Sequence, residues 1–71
     1  MTKNLNLNWL RTFEAVARLS GFTAASKELG MTQTAVSLQI KALEAKLGHS
    51  LFIRRAKSVH LTEIGKAYLH R

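Results

Sequence analysis

Hydrophobic side chains recur at helical spacing through the first two thirds of the chain, and glycines separate the periodic segments. Apolar residues at i, i+3 and i+7 from Leu10 predict a first helix over about residues 9–20. We expect Asn8 to cap the N-terminus of this helix with its side chain and Gly21 to end it.

Two further helices are predicted before residue 48. A short helix over residues 23–29 is expected to begin at the cap Thr23, and Gly30 ends it. A longer helix begins after the cap Thr32. Its apolar positions lie within roughly 60° of one another around the helix axis and are Val36, Ile40, Leu43 and Leu47.

The pattern changes after Gly48 to two short runs rich in β-forming residues, 51–53 and 59–61. We predict two strands joined by a basic tip. Thr62 then caps a last helix, whose inward-facing candidates are Ile64, Ala67 and Tyr68. The order helix, helix, helix, β-ribbon, helix is that of a mostly α winged helix-turn-helix.

The net charge of the chain indicates the class of partner that this fold binds. The 71 residues include 11 Lys and Arg against 4 acidic residues, a net charge of +7. Residues 41–71 carry seven basic and two acidic side chains, against four and two in residues 1–40. Such an imbalance in a small folded domain is typical of proteins that meet a polyanion. The binding surface is therefore expected to lean toward the C-terminal half.

Several function classes find no support in the composition. The absence of Cys excludes disulfides, thiolate zinc sites and thiol catalysis. The four Glu are scattered, no Gly-rich phosphate loop occurs and the three His lack metal-site spacing, so we expect no enzyme, metal or cofactor. No apolar run reaches the ~18 residues of a membrane span, and the polar stretch 1–8 does not resemble a signal peptide. The expected compartment is the cytoplasm, with no membrane partner.

Four segments in sequence order carry a family resemblance. They are Leu10-x-x-Phe13-x-x-Val16, Gly21-Phe22-Thr23-Ala24-Ala25-Ser26-x-x-Leu29, Thr32-Gln33-Thr34-Ala35-Val36-Ser37-Leu38-Gln39-Ile40-x-x-Leu43-Glu44, and Leu61-Thr62-Glu63-x-Gly65. Together with Leu47-Gly48, Leu51-Phe52 and Arg54-Arg55, they resemble the N-terminal DNA-binding domain of LysR-type transcriptional regulators. The resemblance implies sequence-specific binding of an interrupted inverted repeat in double-stranded DNA by a homodimer or higher oligomer.

The chain departs from the family pattern in four respects. Thr34 stands where Pro is frequent, Leu38 where Arg or Lys is frequent, and Gly21 where Ser is usual. Family members also carry a C-terminal effector-binding domain, through which alone a small-molecule effector would act. We therefore expect a DNA-binding domain over residues 1–61 and the shortened start of a linker helix over 62–71. Whether the chain is an excised fragment or a stand-alone protein stays open.

The third helix holds the candidate base contacts. An α-helix fits the major groove, where Gln can pair with an adenine edge and an apolar side chain can meet a thymine methyl. The predicted base contacts are Gln33, Thr34, Ser37 and Leu38. The predicted contacts to the DNA backbone, or through the wing to the minor groove, are Thr32, Lys41, Arg54, Arg55 and Lys57. Dimerisation candidates on the last helix are Ile64, Ala67, Tyr68 and Leu69.

Other interpretations of the same residues remain. The polar residues of the third helix are also compatible with an ordinary solvated face, and the wing cations with a solvated hairpin tip. Thr32 is expected to act mainly as an N-cap. At the level of the whole chain, the alternatives are a winged-helix protein–protein interaction module and a nonspecific binder of nucleic acid or anionic membrane.

Overall fold

Four helices and a two-stranded antiparallel ribbon follow one another in the computed structural model, which describes residues 6–56 and 58–70. The predicted order of elements is confirmed. The elements are α1 (Leu7–Leu19), α2 (Phe22–Leu29), α3 (Gln33–Leu47), β1 (Phe52–Arg54), β2 (Val59–Leu61) and α4 (Glu63–Leu69).

The core lies between α1, α2 and α3, and the start of the ribbon closes it. Three positions of the apolar stripe predicted for α3, 36, 40 and 43, are fully buried, and the fourth, Leu47, is half-buried against the edge of the core. Leu51 and Phe52 enter the same core from the ribbon side, where Phe52 packs against Phe13 with ring centroids 5.4 Å apart. The buried apolar residues are Phe13, Ala15, Val16, Ala25, Val36, Ile40, Leu43, Leu51 and Phe52.

The ends of α1 differ from the prediction. Asn6, and not Asn8, is the N-cap, and its side-chain oxygen accepts the backbone N–H of Asn8 at 2.7 Å. At the other end Ser20 adopts the left-handed conformation (φ 55°), whereas Gly21 is extended (φ −176°). The helix therefore ends at Ser20, where a non-glycine residue takes a conformation that costs free energy.

The helix-turn-helix pair is capped differently at its two N-termini. The prediction that Thr23 caps α2 is wrong, because α2 begins one residue earlier and Gly21 provides a cap without a side chain. Thr32 does cap α3, since its Oγ1 accepts the backbone N–H of Ala35 at 3.0 Å. Gly30 ends α2 in the left-handed conformation (φ 68°), which lets the chain turn sharply into α3.

The wing is a hairpin whose strands pair Phe52 with Leu61 and Arg54 with Val59. The first strand lies one residue later than predicted, because Leu51 makes its hydrogen bonds outside the ribbon. Its N–H donates to a Glu44 carboxylate oxygen at 2.8 Å, and its carbonyl accepts the N–H of Thr62 at 3.0 Å. These two bonds join the base of the wing to α3 and to the start of α4.

Helix α4 begins at the predicted cap, where the Thr62 Oγ1 accepts the N–H of Gly65 at 2.9 Å. Gly65 is buried against the ribbon, and a Cβ atom there would lie 2.2 Å from the carbonyl oxygen of Leu51. The side of α4 that carries Gly65 and Tyr68 therefore faces the body. The prediction that Ile64 and Ala67 face inward is wrong, since both are exposed.

Candidate nucleic-acid interface

Helix α3 has one buried face and one open face, as a helix that enters a DNA groove requires. Val36 and Ile40 are fully buried, whereas Leu38 is 62% exposed. Gln33 and Thr34 are exposed in the first turn. Four of the polar or basic side chains predicted to meet DNA thus lie in the first three turns of one helix: Gln33, Thr34, Ser37 and Lys41.

The wing reaches this open face through Arg54, the last residue of β1. The Arg54 guanidinium carbon lies 4.3 Å from the centroid of the Phe22 ring, and the Nη2 atom donates to the Oγ of Ser37 at 3.4 Å. Phe22 is the first residue of α2, and Ser37 lies in the second turn of α3. One side chain therefore connects the wing with both helices of the helix-turn-helix.

The other predicted backbone contacts lie on either side of this connection. Arg55 is exposed at the start of the wing turn, which its backbone N–H closes by donating to the Ser58 carbonyl at 2.8 Å. Lys41 is exposed on α3, and the cap residue Thr32 is exposed at its beginning. Lys57 lies outside the described residues. The structure thus brings Thr32, Lys41, Arg54 and Arg55 to the surface of two neighbouring elements.

The acidic side chains are engaged elsewhere. Glu14 and Glu28 both accept hydrogen bonds from Arg18, and Glu63 pairs with Lys66 at 3.6 Å. The carboxylate of Glu44 accepts the N–H of Leu51, as described above. These are all 4 acidic residues of the sequence, and the segments 32–41 and 52–61 contain none. An anion that approaches the open face of α3 and the wing therefore meets cationic and hydroxyl side chains of these segments, and no carboxylate from them.

Arg18 joins α1 to α2 behind this surface. Its hydrogen bonds to Glu28, and next to Glu14, raise the pKa of the Arg18 guanidinium. Conversely, the hydrogen bond from Arg18 holds the pKa of the Glu28 carboxyl below its ordinary value. A surface ion pair therefore joins the last turn of α2 to the C-terminal part of α1.

Sequence reasoning missed three side chains that position the interface. Thr12, only 2% exposed, donates its hydroxyl to the Oε1 of Gln39 at 2.6 Å and so joins α1 to α3. Glu44 joins α3 to the wing, and Phe22 supports Arg54. A signal existed only for Thr12, a polar residue four positions before Val16 on the apolar side of α1. The sequence carries no local signal for the other two, since the bond of Glu44 to the Leu51 amide crosses the end of α3 and Phe22 meets Arg54 from 32 positions away.

The dimerisation candidates divide into two pairs. Ile64 is 43% exposed and Ala67 is exposed, so both present apolar surface to the outside. Tyr68 and Leu69 are half-buried, and the Tyr68 ring lies 5.5 Å from that of Phe13. Only the first pair is free of the domain's own core.

The family comparison supports the same arrangement. The family model described as "Bacterial regulatory helix-turn-helix protein, lysR family" matches residues 7–66. The chain belongs to the LysR family. The match runs from the first residue of α1 into α4, so it includes the whole helix-turn-helix and the wing. No helix in the described part of this LysR-family chain has the length and hydropathy that crossing a bilayer requires.

Curated relatives and a solved structure agree with this membership. The chain is 56% identical over 62 residues to a glycine cleavage system transcriptional activator homolog of Haemophilus influenzae, covering 87% of this chain and 21% of that protein. It is 55% identical over 69 residues to the glycine cleavage system transcriptional activator of Escherichia coli K12, covering 96% and 23%. The LysR-family chain thus spans about a fifth of the length of these relatives.

The solved structure is that of a CbnR DNA-binding domain in complex with DNA. It superposes with a TM-score of 0.90 at 36% sequence identity, covering 93% of this chain and 76% of that one. The winged helix-turn-helix fold predicted from the sequence is therefore confirmed.

Proposed function

We propose that the chain binds double-stranded DNA in a sequence-specific manner and takes part in transcription regulation. Helix α3 lies in the major groove, and the wing contacts the flanking backbone or the minor groove. The proposal rests mainly on the open face of α3. Arg54 of the basic wing contacts this face directly through its hydrogen bond to Ser37. A buried stripe on the opposite side anchors the helix while this face stays available.

Base recognition falls to the first turns of α3. Gln33 is exposed and can bond an adenine edge with both ends of its amide, and the Thr34 hydroxyl can donate or accept. Leu38 is exposed without a packing role and suits a thymine methyl. Ser37 reaches the same groove from a half-buried position, next to the Arg54 guanidinium.

Phosphate contacts surround this region. Arg54, Arg55 and Lys41 neutralise phosphate charge, and the capped N-terminus of α3 at Thr32 presents the positive end of a helix dipole. Lys57 is proposed for the same role from its place in the sequence between β1 and β2. Counterion release on such binding makes the affinity depend strongly on salt.

Two copies of the domain would bind an interrupted inverted repeat. Two-fold symmetry in a protein dimer matches two-fold symmetry in its DNA site. We assign residues 1–61 to the DNA-binding domain and residues 62–71 to the start of a linker helix that dimerises. Ile64 and Ala67 supply its outward apolar surface. Tyr68 and Leu69 are half-buried against the core and add the exposed part of their side chains.

The relatives support a regulatory and not a catalytic role. Two curated relatives are named as a transcriptional activator or its homolog, and the similar CbnR domain was solved with DNA. The carboxylates of this chain hold Arg18, Lys66 and a backbone amide instead of a reacting group. The proposed compartment is the cytoplasm, where the DNA of a bacterium is found.

Selection from a library of random duplexes tests the proposal. The 71-residue chain is incubated with the library at moderate salt, bound duplexes are recovered and sequenced, and the cycle is repeated. We expect enrichment of one motif. Equal retention of all duplexes would instead indicate a nonspecific binder, and no retention would indicate a protein-interaction module; either result would overturn the proposal.

Variants of α3 then locate the specificity. Gln33→Ala is expected to weaken binding of the enriched duplex by about 1–3 kcal/mol and to relax the preference at one base pair. Leu38→Ala should weaken it by more than about 0.5 kcal/mol, the range of most neutral surface substitutions. Lys46→Ala, an exposed cation at the far end of the same helix, serves as the matched control. A Gln33→Ala protein that selects the wild-type motif with wild-type affinity would remove Gln33 from the interface.

A further inference from the structure

Phe22 and Arg54 form a cation–π contact between the start of α2 and the end of β1. Arg54 is exposed at the end of β1, yet its guanidinium lies over the Phe22 ring at 4.3 Å instead of extending into solvent. The Phe22 ring, at the start of α2, is itself only half-buried. Part of the ring surface is covered by a cation.

The position of the Phe22 ring is itself fixed by the core. Its centroid lies 6.2 Å from that of Phe52 in an edge-to-face arrangement, and Phe52 is a buried residue of β1. The ring thus packs against the core through Phe52 and holds the guanidinium of a residue two positions further along the same strand. Arg54 then donates to Ser37 on α3, so that its charge is held beside the open face of the recognition helix.

We propose that Phe22 is a positioning residue for DNA binding, acting through Arg54. The attraction between the guanidinium and the face of the ring holds the wing arginine next to Ser37 before DNA arrives. A long side chain that is already ordered loses less conformational freedom on binding than one that moves freely in solvent. Phe22 itself touches no DNA in this account. The inference rests on the proposed function, specifically on the role of Arg54 in it.

A double-mutant cycle on the affinity for the enriched duplex measures this coupling. Arg54→Ala removes the charge, and Phe22→Leu keeps an apolar side chain while removing the aromatic face. Phe22→Leu is expected to weaken binding by about two- to fivefold in the wild-type background, the value of an exposed cation–π contact. In the Arg54→Ala background the same substitution should have no further effect. Phe22→Tyr, which keeps the ring face, should restore wild-type affinity.

A matched control separates positioning from general damage to the fold. Arg55→Ala removes the same charge one residue along, on a side chain that is exposed in the wing turn. In that background Phe22→Leu should still weaken binding by about two- to fivefold, as in the wild-type background. Additive effects of Phe22→Leu and Arg54→Ala, or wild-type affinity of Phe22→Leu, would overturn the inference.

One observation on the wild-type protein needs no variant. Nuclear magnetic resonance of the free protein should show the Arg54 side-chain protons shifted upfield by the ring current of Phe22, and shifts typical of a solvated arginine would overturn the inference. If Arg54→Ala binds the duplex with wild-type affinity, the role of Arg54 and this inference fall together. The selected motif still decides the proposed function independently.

Discussion

The hydroxyl of Thr12 on α1 donates to the side-chain oxygen of Gln39 on α3 at 2.6 Å. Thr12 is almost completely buried, whereas Gln39 is half-buried on the helix that we propose enters the major groove. The bond therefore connects the inside of the domain with its recognition helix.

Loss of this bond should lower stability. Thr12→Val replaces the hydroxyl with a methyl of similar size and leaves Gln39 without its partner. We expect the free energy of unfolding to fall by about 1 kcal/mol, the net value of one hydrogen bond. Urea denaturation with an unchanged m-value measures it. Thr12→Ser, which keeps the donor, tests the cost of losing the methyl alone. A Thr12→Val protein as stable as wild type would show that the bond does not stabilise the domain.

The effect of Gly65→Ala on the free energy of unfolding shows whether α4 packs closely against Leu51. Helix propensity alone makes Gly65→Ala stabilising by about 1 kcal/mol. The new Cβ would instead lie 2.2 Å from the Leu51 carbonyl oxygen and 3.0 Å from a methyl of Leu61, so that α4 must move away from the wing. We expect a net loss of about 1–3 kcal/mol, as for overpacking in a core.

The control for Gly65 lies two residues along the same helix. Ala67→Gly, at an exposed position, should cost only the propensity difference of about 1 kcal/mol. Thermal unfolding of both variants compares them under one condition. A Gly65→Ala protein more stable than wild type would contradict the close approach of α4 to Leu51.

The sequence predicted α3 well because the signals that define it are local. Thr32 begins the helix by capping it with its side chain, and Gly48 ends it by adopting the left-handed conformation. The N-cap of α1 was less determined, since Asn6 and Asn8 are equally good capping residues. Only the extended backbone of Asn6 and its bond to the Asn8 N–H decide between them.

The orientation of α4 depends on tertiary packing. Because Gly65 has no side chain, α4 can press its backbone against Leu51, and this places position 65 on the inner side. Successive residues of a helix are about 100° apart, so Tyr68 lies within about 60° of Gly65 whereas Ala67 lies on the opposite side of α4. Ile64, about 100° from Gly65, is left exposed at the edge of the inner side. Alternation of apolar residues in a helix of two turns could not show this. The support of Arg54 by Phe22 likewise joins residues 32 positions apart.

Acid should remove the contribution of the pair formed by Arg18 and Glu28. The hydrogen bond from Arg18 lowers the pKa of the Glu28 carboxyl from its ordinary value of 4.5. A carboxyl whose pKa is lower in the folded state stabilises the fold above its unfolded-state pKa, and this contribution is lost as the pH falls through the lowered value.

Glu28→Gln tests that dependence. The variant should have a lower melting temperature than wild type at neutral pH. The difference should begin to shrink as the pH falls below 4.5 and should vanish once the pH is below the lowered pKa of Glu28. Added salt should also reduce it, because both side chains are exposed. A difference that stays constant into strong acid would show that the ionised pair is not its cause.

The salt dependence of DNA affinity tests the wing separately from α3. Arg55→Ala should lower the slope of log affinity against log salt by about 0.9, the value for one phosphate contact. The preferred motif should not change, since phosphate contacts carry no base information. Lys46→Ala removes an equal charge from the far end of α3 and should leave the slope unaltered. Equal slopes for Arg55→Ala and wild type would exclude a phosphate contact by Arg55.

The open face of α3 and the wing together form the surface that we propose binds DNA. Titration of the isotope-labelled chain with its enriched duplex, followed through backbone amide resonances, locates this surface residue by residue. We predict the largest shifts in residues 32–41 and in the wing from Phe52 to Leu61, with small shifts along the middle of α1. Large shifts on α1 and α2, with the amides of Gln33, Ser37 and Leu38 unchanged, would contradict it.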